Sequence, residues 1–193
     1  MYRHLFTAVF FASTLVVVAA SPDGPKDAVV LIIRHAEDPD SGNGISPRGE
    51  QRAEAYKDYF RNFTVGSTRR APDAVFAATD SRKSHRPRLT VEPFAKAANL
   101  KIDTRFGNNQ SAELAADLRA SEQGKCILIC WRHPYVPDLL RALGANPESF
   151  LPKGKWPGSV YNWVILLSFD QDGRLIPASS KRITEHLLPG DSQ

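Results

Sequence analysis

The chain has 193 residues, of which 42% are hydrophobic and 24% are charged, and its formal net charge is +4. This length suits one domain with a sizeable core, and the balanced composition excludes a fibre, a coiled coil and a disordered chain. The positive charge is small and dispersed, so it suits small anionic substrates and argues against a nucleic-acid partner.

The N-terminus has the three-part layout of a secretory signal peptide. A short polar start is followed by an almost unbroken apolar run over residues 5–18 and then by small residues that suit a signal peptidase. The run is shorter than the roughly 20 residues that a membrane-spanning helix needs. We therefore predict a signal peptide at residues 1–20, one mature domain at residues 21–193, and a periplasmic or secreted protein that touches a membrane only if this segment stays uncleaved.

Strand-like apolar runs alternate with helical patterns along the rest of the chain. The predicted strands and extended segments are 28–33, 74–78, 100–106, 126–131, 160–169 and 174–180. The predicted helices are 47–63, 87–99, 112–120 and 137–143, with N-caps at Ser46 and Ser111 and a closing Gly144. This alternation predicts an α/β fold, a three-layer sandwich with a largely parallel central sheet flanked by helices.

Cys126 and Cys130 are the only cysteines in the sequence. Four residues apart on a strand, they would lie about 13 Å apart at roughly 3.3 Å per residue, which is too far for a disulfide. Two cysteines are also too few for a metal site unless histidines join them. We expect two buried, reduced thiols.

Two histidines follow predicted buried strands directly, His35 after the first strand and His133 after the strand that ends at Trp131. In open α/β sheets, ligands bind beyond the carboxyl ends of the strands. Each histidine is preceded by an arginine, Arg34 and Arg132. The pattern predicts that imidazole and guanidinium groups converge on one small anion.

The residues around these histidines resemble the histidine phosphatase superfamily, the phosphoglycerate-mutase-like proteins, in an exported bacterial-type branch. Four sequence blocks carry the resemblance, in the family's order. They are Arg-His-Ala-Glu at 34–37, Ile-Ser-Pro-Arg-Gly-Glu-Gln-Arg-Ala at 45–53, Arg-Pro-Arg-Leu-Thr-Val at 86–91 and Ile-Leu-Ile-Cys-Trp-Arg-His at 127–133. The blocks together span most of the mature chain.

The resemblance implies a catalytic site built on His35 and His133. His35 would attack phosphorus as a neutral imidazole, and His133 would complete a cage around the phosphoryl group. Arg34 and Arg86 would bind the phosphate oxygens. These cationic donors make a metal ion unnecessary, so we predict neither a metal nor a cofactor.

Several assignments stay open at this stage. Arg82, Arg88 or Arg132 could bind phosphate in addition to Arg86 or in its place, and Arg34 could instead pair with Glu37 or Asp38. Glu37 is interpreted as an orienting or surface residue.

The general acid is unassigned. Pro134 occupies the place behind the second histidine where some family members have their acid, which leaves Asp80 and Asp103 as candidates.

We therefore predict an exported phosphohydrolase that cleaves small phosphomonoesters through a phosphohistidine on His35. The signal peptide and the short chain, which has little material for a lid, favour a phosphatase over a mutase. The alternative is a catalytically weak or inactive family member that binds a phosphorylated ligand or a cell-envelope partner. The altered residues around His133 favour this alternative.

Overall fold

The computed structural model describes residues 23–191, so the predicted signal peptide lies outside the described residues. The strands are β1 (Val29–Arg34), β2 (Thr64–Val65), β3 (Thr68–Arg69), β4 (Ala74–Ala77), β5 (Ile102–Asp103), β6 (Cys126–Trp131), β7 (Trp163–Ser168) and β8 (Lys181–Thr184). The α-helices are α1 (Pro47–Arg61), α2 (Arg86–Ala97), α3 (Ser111–Ser121) and α4 (Val136–Ala142).

Six of the strands in this part of the chain form one sheet in the order β5-β4-β6-β1-β7-β8, while β2 and β3 form a separate hairpin. The neighbours β5, β4, β6 and β1 run parallel. Strand β7 pairs antiparallel with β1, and β8 pairs antiparallel with β7. β1 and β6 lie in the middle of the sheet, and every residue of both is buried.

The helices cover both faces of the sheet. Tyr56 and Phe60 of α1 pack with Phe94 of α2 in the hydrophobic cluster on one face. Leu118 of α3 and Leu139 of α4 belong to the cluster on the other face. The predicted three-layer α/β sandwich with a largely parallel sheet is confirmed. Within residues 23–191, no helix is long and apolar enough to cross a bilayer.

Helix α1 begins as its sequence predicts. The Ser46 hydroxyl accepts a hydrogen bond from the backbone N–H of Gly49 at 3.1 Å, and Pro47 occupies the first turn, where its missing N–H costs nothing. The helix ends at Arg61, two residues before the predicted end. At the end of α4, Gly144 has a φ of +71°, which suits the glycine that closes a helix.

Two local predictions are wrong. Ser111 does not cap α3, because it is the first helical residue and Gln110 stands at the N-cap position without a side-chain cap bond. The segment 174–180 is not the strand that pairs with β7. Pro177 begins a short 3-10 turn there, so regular pairing starts later, at β8.

The two cysteines are both free and buried, as expected. Cys126 and Cys130 belong to the same hydrophobic cluster, on the face that α1 and α2 cover. Burial raises the pKa of the Cys126 thiol to about 12 and also raises the pKa of Cys130. Both thiols are therefore protonated packing groups rather than nucleophiles.

Candidate active site

Parallel pairing of β1 with β6 brings the two predicted histidines together. Arg34 lies opposite Trp131 in this register, so the residues that follow the two strands lie side by side at the carboxyl ends of β1 and β6. The backbone N–H of His35 donates to the carbonyl of Trp131 at 3.2 Å. The ring centroids of His35 and His133 are 5.9 Å apart. The convergence that the sequence predicted is therefore present in the structure.

His35 is held with one ring nitrogen free for chemistry. Its Nδ1 lies 2.8 Å from the carbonyl oxygen of Ala36, and since a carbonyl only accepts, Nδ1 carries the hydrogen. The lone pair of the neutral ring is then on Nε2. Burial, together with the positive charges of Arg34 and Arg86, lowers the pKa of His35 to about 4. The imidazole is neutral at physiological pH.

His133 is half-buried and begins a short 3-10 turn, His133–Tyr135, directly after β6. Burial and the neighbouring charges of Arg34 and Arg132 lower the pKa of His133 to about 4. Its Nδ1 is buried and has no hydrogen-bond partner among the described residues. Trp131 is fully buried in the core, and Trp156 borders the cavity beside His133.

The Arg34 side chain is fully buried at the end of β1. Its Nη1 donates to the carbonyls of Gly158 at 2.7 Å and Val160 at 3.2 Å, and its Cζ lies 3.8 Å from the ring centroid of Tyr161. These contacts use one edge of the guanidinium. Its Nε and Nη2 have no hydrogen-bond partner in the described part of the chain.

Asp38 lies between the two arginines that the sequence assigned to phosphate. Its Oδ1 is 2.6 Å from Nε of Arg86, and its Oδ2 is 3.6 Å from Nη2 of Arg34. The hydroxyl of Tyr161 donates to Oδ2 at 3.0 Å. The Asp38 charge also acts on both imidazoles. A carboxylate of the protein thus occupies the position where these cations meet.

Among the alternative arginines, Arg88 is turned away from this position. It donates to Asp80 at 2.8 Å and to Glu92 at 3.2 Å. Arg132 contributes positive charge beside His133, and within residues 23–191 no hydrogen bond or ion pair connects Arg82 with the site. Arg86 is the arginine of this group that the structure places against Asp38.

Neither acid candidate has a hydrogen bond or ion pair with either histidine in the described part of the chain. Asp80 is paired with Arg88, and Asp103 lies on β5, three strands from β1, where it pairs with Arg105 at 2.7 Å. Glu37 faces Arg52 of α1, which donates to its carboxylate at 2.7 Å and 3.1 Å. Glu37 therefore anchors the loop after His35 to α1, as an orienting residue would.

Two further contacts position the backbone after His35. The Thr90 hydroxyl accepts from the N–H of Ala36 at 2.8 Å and donates to the carbonyl of Arg86 at 2.7 Å. A Cβ on Gly49 would lie only 2.9 Å from the carbonyl oxygen of Glu37, so α1 approaches this loop closely because residue 49 is glycine. Both residues lie in blocks that the sequence analysis singled out, but spacing alone does not reveal these bonds.

No group of three or more His, Cys, Asp or Glu side chains within residues 23–191 is placed to hold a metal ion. The positive charge at the site comes from guanidinium groups, which stay charged at any physiological pH. The described donors suit an anion with several oxygen acceptors.

The fold of the chain is similar to that of solved phosphatases and of a phosphoglycerate mutase. No protein-family model matches the sequence, and no curated protein matches it either. The likeness is carried by solved structures, and the three described next are distant in sequence.

Three of these structures match the chain with similar TM-scores, identities and coverages. The protein histidine phosphatase SixA, complexed with tungstate, has a TM-score of 0.52 and 13% identity, covering 81% of this chain and 96% of its own. The α-ribazole phosphatase from Shigella flexneri has a TM-score of 0.51 and 12% identity, covering 81% of this chain and 100% of its own. Phosphoglycerate mutase from Plasmodium falciparum has a TM-score of 0.51 and 16% identity, covering 86% and 96%. At these identities the likeness defines the fold.

Proposed function

We propose that the chain is an exported phosphohydrolase that cleaves phosphomonoesters through a phosphohistidine on His35, without a metal ion. The observation that carries this proposal is the place of Asp38, between Arg34 and Arg86 and within electrostatic reach of both imidazoles. An anion of the protein rests where the cationic groups converge. A phosphoryl group is an anion with more acceptor oxygens, so it suits the same position.

Nitrogens without a hydrogen bond support an anionic ligand. Arg34 Nε and Nη2, Arg86 Nε and His133 Nδ1 have no hydrogen-bond partner in the described part of the chain, although Arg86 Nε and Arg34 Nη2 are ion-paired with Asp38 at 2.6 Å and 3.6 Å. A buried polar group without a partner costs about 1–3 kcal/mol. The three oxygens of a phosphoryl group would accept from several of these donors at once.

The reaction consists of two displacements. In the first, Nε2 of His35 forms a bond to phosphorus while the bond from phosphorus to the ester oxygen breaks. Arg34, Arg86 and His133 stabilise the charge on the equatorial oxygens. In the second, water attacks phosphorus, the bond to Nε2 breaks, and phosphate leaves.

Two of the structural neighbours support a phosphatase through their names. SixA is named as a protein histidine phosphatase and is complexed with tungstate, a tetrahedral oxyanion like phosphate. The Shigella protein is named as an α-ribazole phosphatase. The predicted signal peptide, which lies outside the described residues, supports export. N-terminal sequencing of the protein from a periplasmic or secreted fraction tests this part, and a mature start near residue 21 is expected.

A cavity of about 520 Å³ beside His133 is suited to the leaving group. Sites for small molecules usually have volumes of roughly 300–1,000 Å³. Its walls combine the apolar Trp156 and Pro137 with the cationic Lys153 and Lys155. We expect a small phosphorylated compound as the substrate.

A phospho-ligand binding module or a cell-envelope binding module is the second candidate. The observation that favours it is that Asp80 and Asp103, the acids expected from the sequence, are paired with arginines away from the histidines. Such a module would bind phosphate with the same groups and would not hydrolyse a phosphomonoester.

Hydrolysis of p-nitrophenyl phosphate in EDTA, with wild type and His35→Ala, tests the proposal. We expect activity in EDTA and a loss of about 10⁴-fold or more in the variant. Mass spectrometry under alkaline conditions is expected to detect phosphate on His35 in the wild type. The matched control is His186→Ala, because His186 is exposed, and it should keep full activity.

The results of these assays distinguish the phosphatase from the binding module. Binding of inorganic phosphate by the wild type without any turnover would establish the binding module. Activity that disappears in EDTA, or that survives His35→Ala, would overturn the proposed mechanism.

A further inference from the structure

The Asp38 carboxylate contacts its cationic neighbours without well-aligned hydrogen bonds to them. Nε of Arg86 is 2.6 Å from Oδ1, yet neither it nor Nη2 of Arg34 has a hydrogen-bond partner among the described residues. Only the hydroxyl of Tyr161 donates to this carboxylate with hydrogen-bond geometry in that part of the chain. The Asp38 side chain is 41% exposed. The carboxylate is therefore partly exposed and held by one hydrogen bond and two ion pairs, so an incoming anion can displace it.

The other nearby carboxylates are occupied elsewhere. Glu37 accepts from Arg52 through both oxygens, and Asp80 accepts from Arg88 through Oδ2, while its Oδ1 has no hydrogen-bond partner among the described residues. Asp103 lies on an edge of the sheet. Asp38 is the carboxylate whose charge acts on both His35 and His133.

We propose that Asp38 is the proton donor to the leaving oxygen of the substrate, an inference that rests on the proposed phosphatase function. When a phosphoryl group takes the place between Arg34 and Arg86, the Asp38 carboxyl group moves to the side of that group. From there it contacts the ester oxygen. The hydroxyl of Tyr161 remains a hydrogen-bond partner that holds the carboxyl group at the edge of the site.

The charges around Asp38 change in the direction that this role needs. Without substrate, the Tyr161 hydrogen bond and the charges of Arg86 and Arg34 hold the pKa of Asp38 below its ordinary value, although burial opposes them. Bound phosphate neutralises the two guanidinium groups and places negative charge beside the carboxyl group. Both changes raise the pKa of Asp38, so the group takes up a proton as substrate binds.

The proton balance closes over the two displacements. In the first, the Asp38 carboxyl proton goes to the ester oxygen as the bond between phosphorus and oxygen breaks, and an alcohol leaves. In the second, the Asp38 carboxylate takes a proton from the attacking water. The carboxyl group is restored, and phosphate is released from His35.

Leaving-group dependence in Asp38→Asn tests the proposal. Phenyl phosphate has a basic leaving group that needs a proton, whereas 2,4-dinitrophenyl phosphate has a leaving group that departs as an anion. We expect kcat/KM for phenyl phosphate to fall by about 100-fold or more, and that for 2,4-dinitrophenyl phosphate to fall by less than about threefold. An equal loss on both esters, or a gain on both, would overturn the proposal.

Inorganic phosphate serves as the binding probe for the same variant. Its inhibition constant should stay equal or become lower, since Asp38→Asn removes a competing negative charge. Should this variant fail to bind phosphate, Asp38→Ser gives the same comparison with a smaller side chain. The matched control is Asp40→Asn, an exposed aspartate of the same loop, which should leave both esters unaffected.

The two proposals fail in different ways. If His35→Ala keeps its activity, the phosphohistidine mechanism itself is wrong. If His35→Ala is inactive on both esters while Asp38→Asn slows both equally, the phosphatase stands and the proton donor is another group.

Discussion

The hydroxyl of Thr90 lies 2.8 Å from the backbone nitrogen of Ala36 and accepts its hydrogen. Both residues are fully buried, and the same hydroxyl donates to the carbonyl of Arg86 at 2.7 Å. One side chain of α2 therefore connects the backbone that carries the nucleophile to the backbone of a phosphate-binding arginine.

Replacing Thr90 by Val keeps the shape of the side chain and removes both bonds. The N–H of Ala36 then stays buried without an acceptor, which should lower the free energy of unfolding by about 1–3 kcal/mol. Because the loop after His35 loses its support, kcat should fall more than KM rises. Urea denaturation and steady-state kinetics measure the two effects. Thr90→Ser, which keeps the hydroxyl, should restore most of kcat, and no difference between the two variants would contradict a positioning role.

Arg86→Ala should weaken the binding of inorganic phosphate by a factor of about 10 to 100, because hydrogen bonds to charged groups contribute about 1.5–3 kcal/mol. The matched control is Arg88→Ala, two residues later on the same helix. Arg88 is one-third exposed and pairs with Asp80 and Glu92. Since these two pairs do not involve the arginines placed against Asp38, its loss should leave phosphate affinity within about threefold of wild type. Equal weakening by both variants would refute the choice of Arg86.

The lowered pKa of His35 predicts the direction in which folding stability changes with pH. The pKa of His35 lies at about 4, against an ordinary value of 6.5. The unfolded chain therefore binds the proton first as pH falls, and the contribution of this group to folding stability decreases between about pH 6.5 and 4. NMR titration of the imidazole resonances, assigned with His35→Ala, should give a midpoint near pH 4 without phosphate. Phosphate should move the midpoint upward, since it adds negative charge, and a midpoint near 6.5 in the free protein would be inconsistent with the buried ring described above.

Glu185 makes folding stability depend on pH in the opposite direction. Burial raises the pKa of this carboxyl group from 4.5 to about 8, and Tyr56 donates to its Oε1 at 2.5 Å. Stability from the neutral group is present below about pH 4.5 and is lost as pH rises to about 8. Glu185→Gln should therefore be more stable than wild type at pH 9 and lose that advantage at pH 5 in urea denaturation. An exposed Glu54→Gln control should differ from wild type by less than about 0.5 kcal/mol at both pH values.

A loss of stability in Glu185→Gln at pH 9 would mean that the ionised Glu185 carboxylate stabilises the fold. Its pairing with Arg52, at 3.5 Å, would then outweigh the cost of burying its charge.

The central strands β1 and β6 and the histidine pair were predictable because local composition determines them. Residues 28–33 and 126–131 are continuous apolar runs, which are typical of strands covered on both faces. The place of each histidine directly after such a run then follows from the rule for ligand sites in α/β sheets. Ser111 was misjudged because a serine at the start of a helix can stand at the cap or one residue inside it, and only the backbone conformation decides.

The role of Asp38 was not predictable from the sequence. The loop contains two aspartates, Asp38 and Asp40, with similar local surroundings. What distinguishes them is a hydrogen bond from Tyr161, 123 residues further along the chain, and the contact with Arg86. Such long-range partners depend on the packing of loops, which no short sequence pattern encodes.

The six paired positions of β1 and β6 also limit which insertions and deletions this protein can tolerate during evolution. Because side chains alternate between the two faces of a sheet, inserting or deleting one residue in either strand would reverse the direction of every side chain beyond it. One imidazole would then point to the opposite face of the sheet from the other. Length variants should accumulate instead in the exposed residues 40–42 of the loop after Asp38, so homologues are expected to keep the spacing of these two strands long after their side chains have diverged.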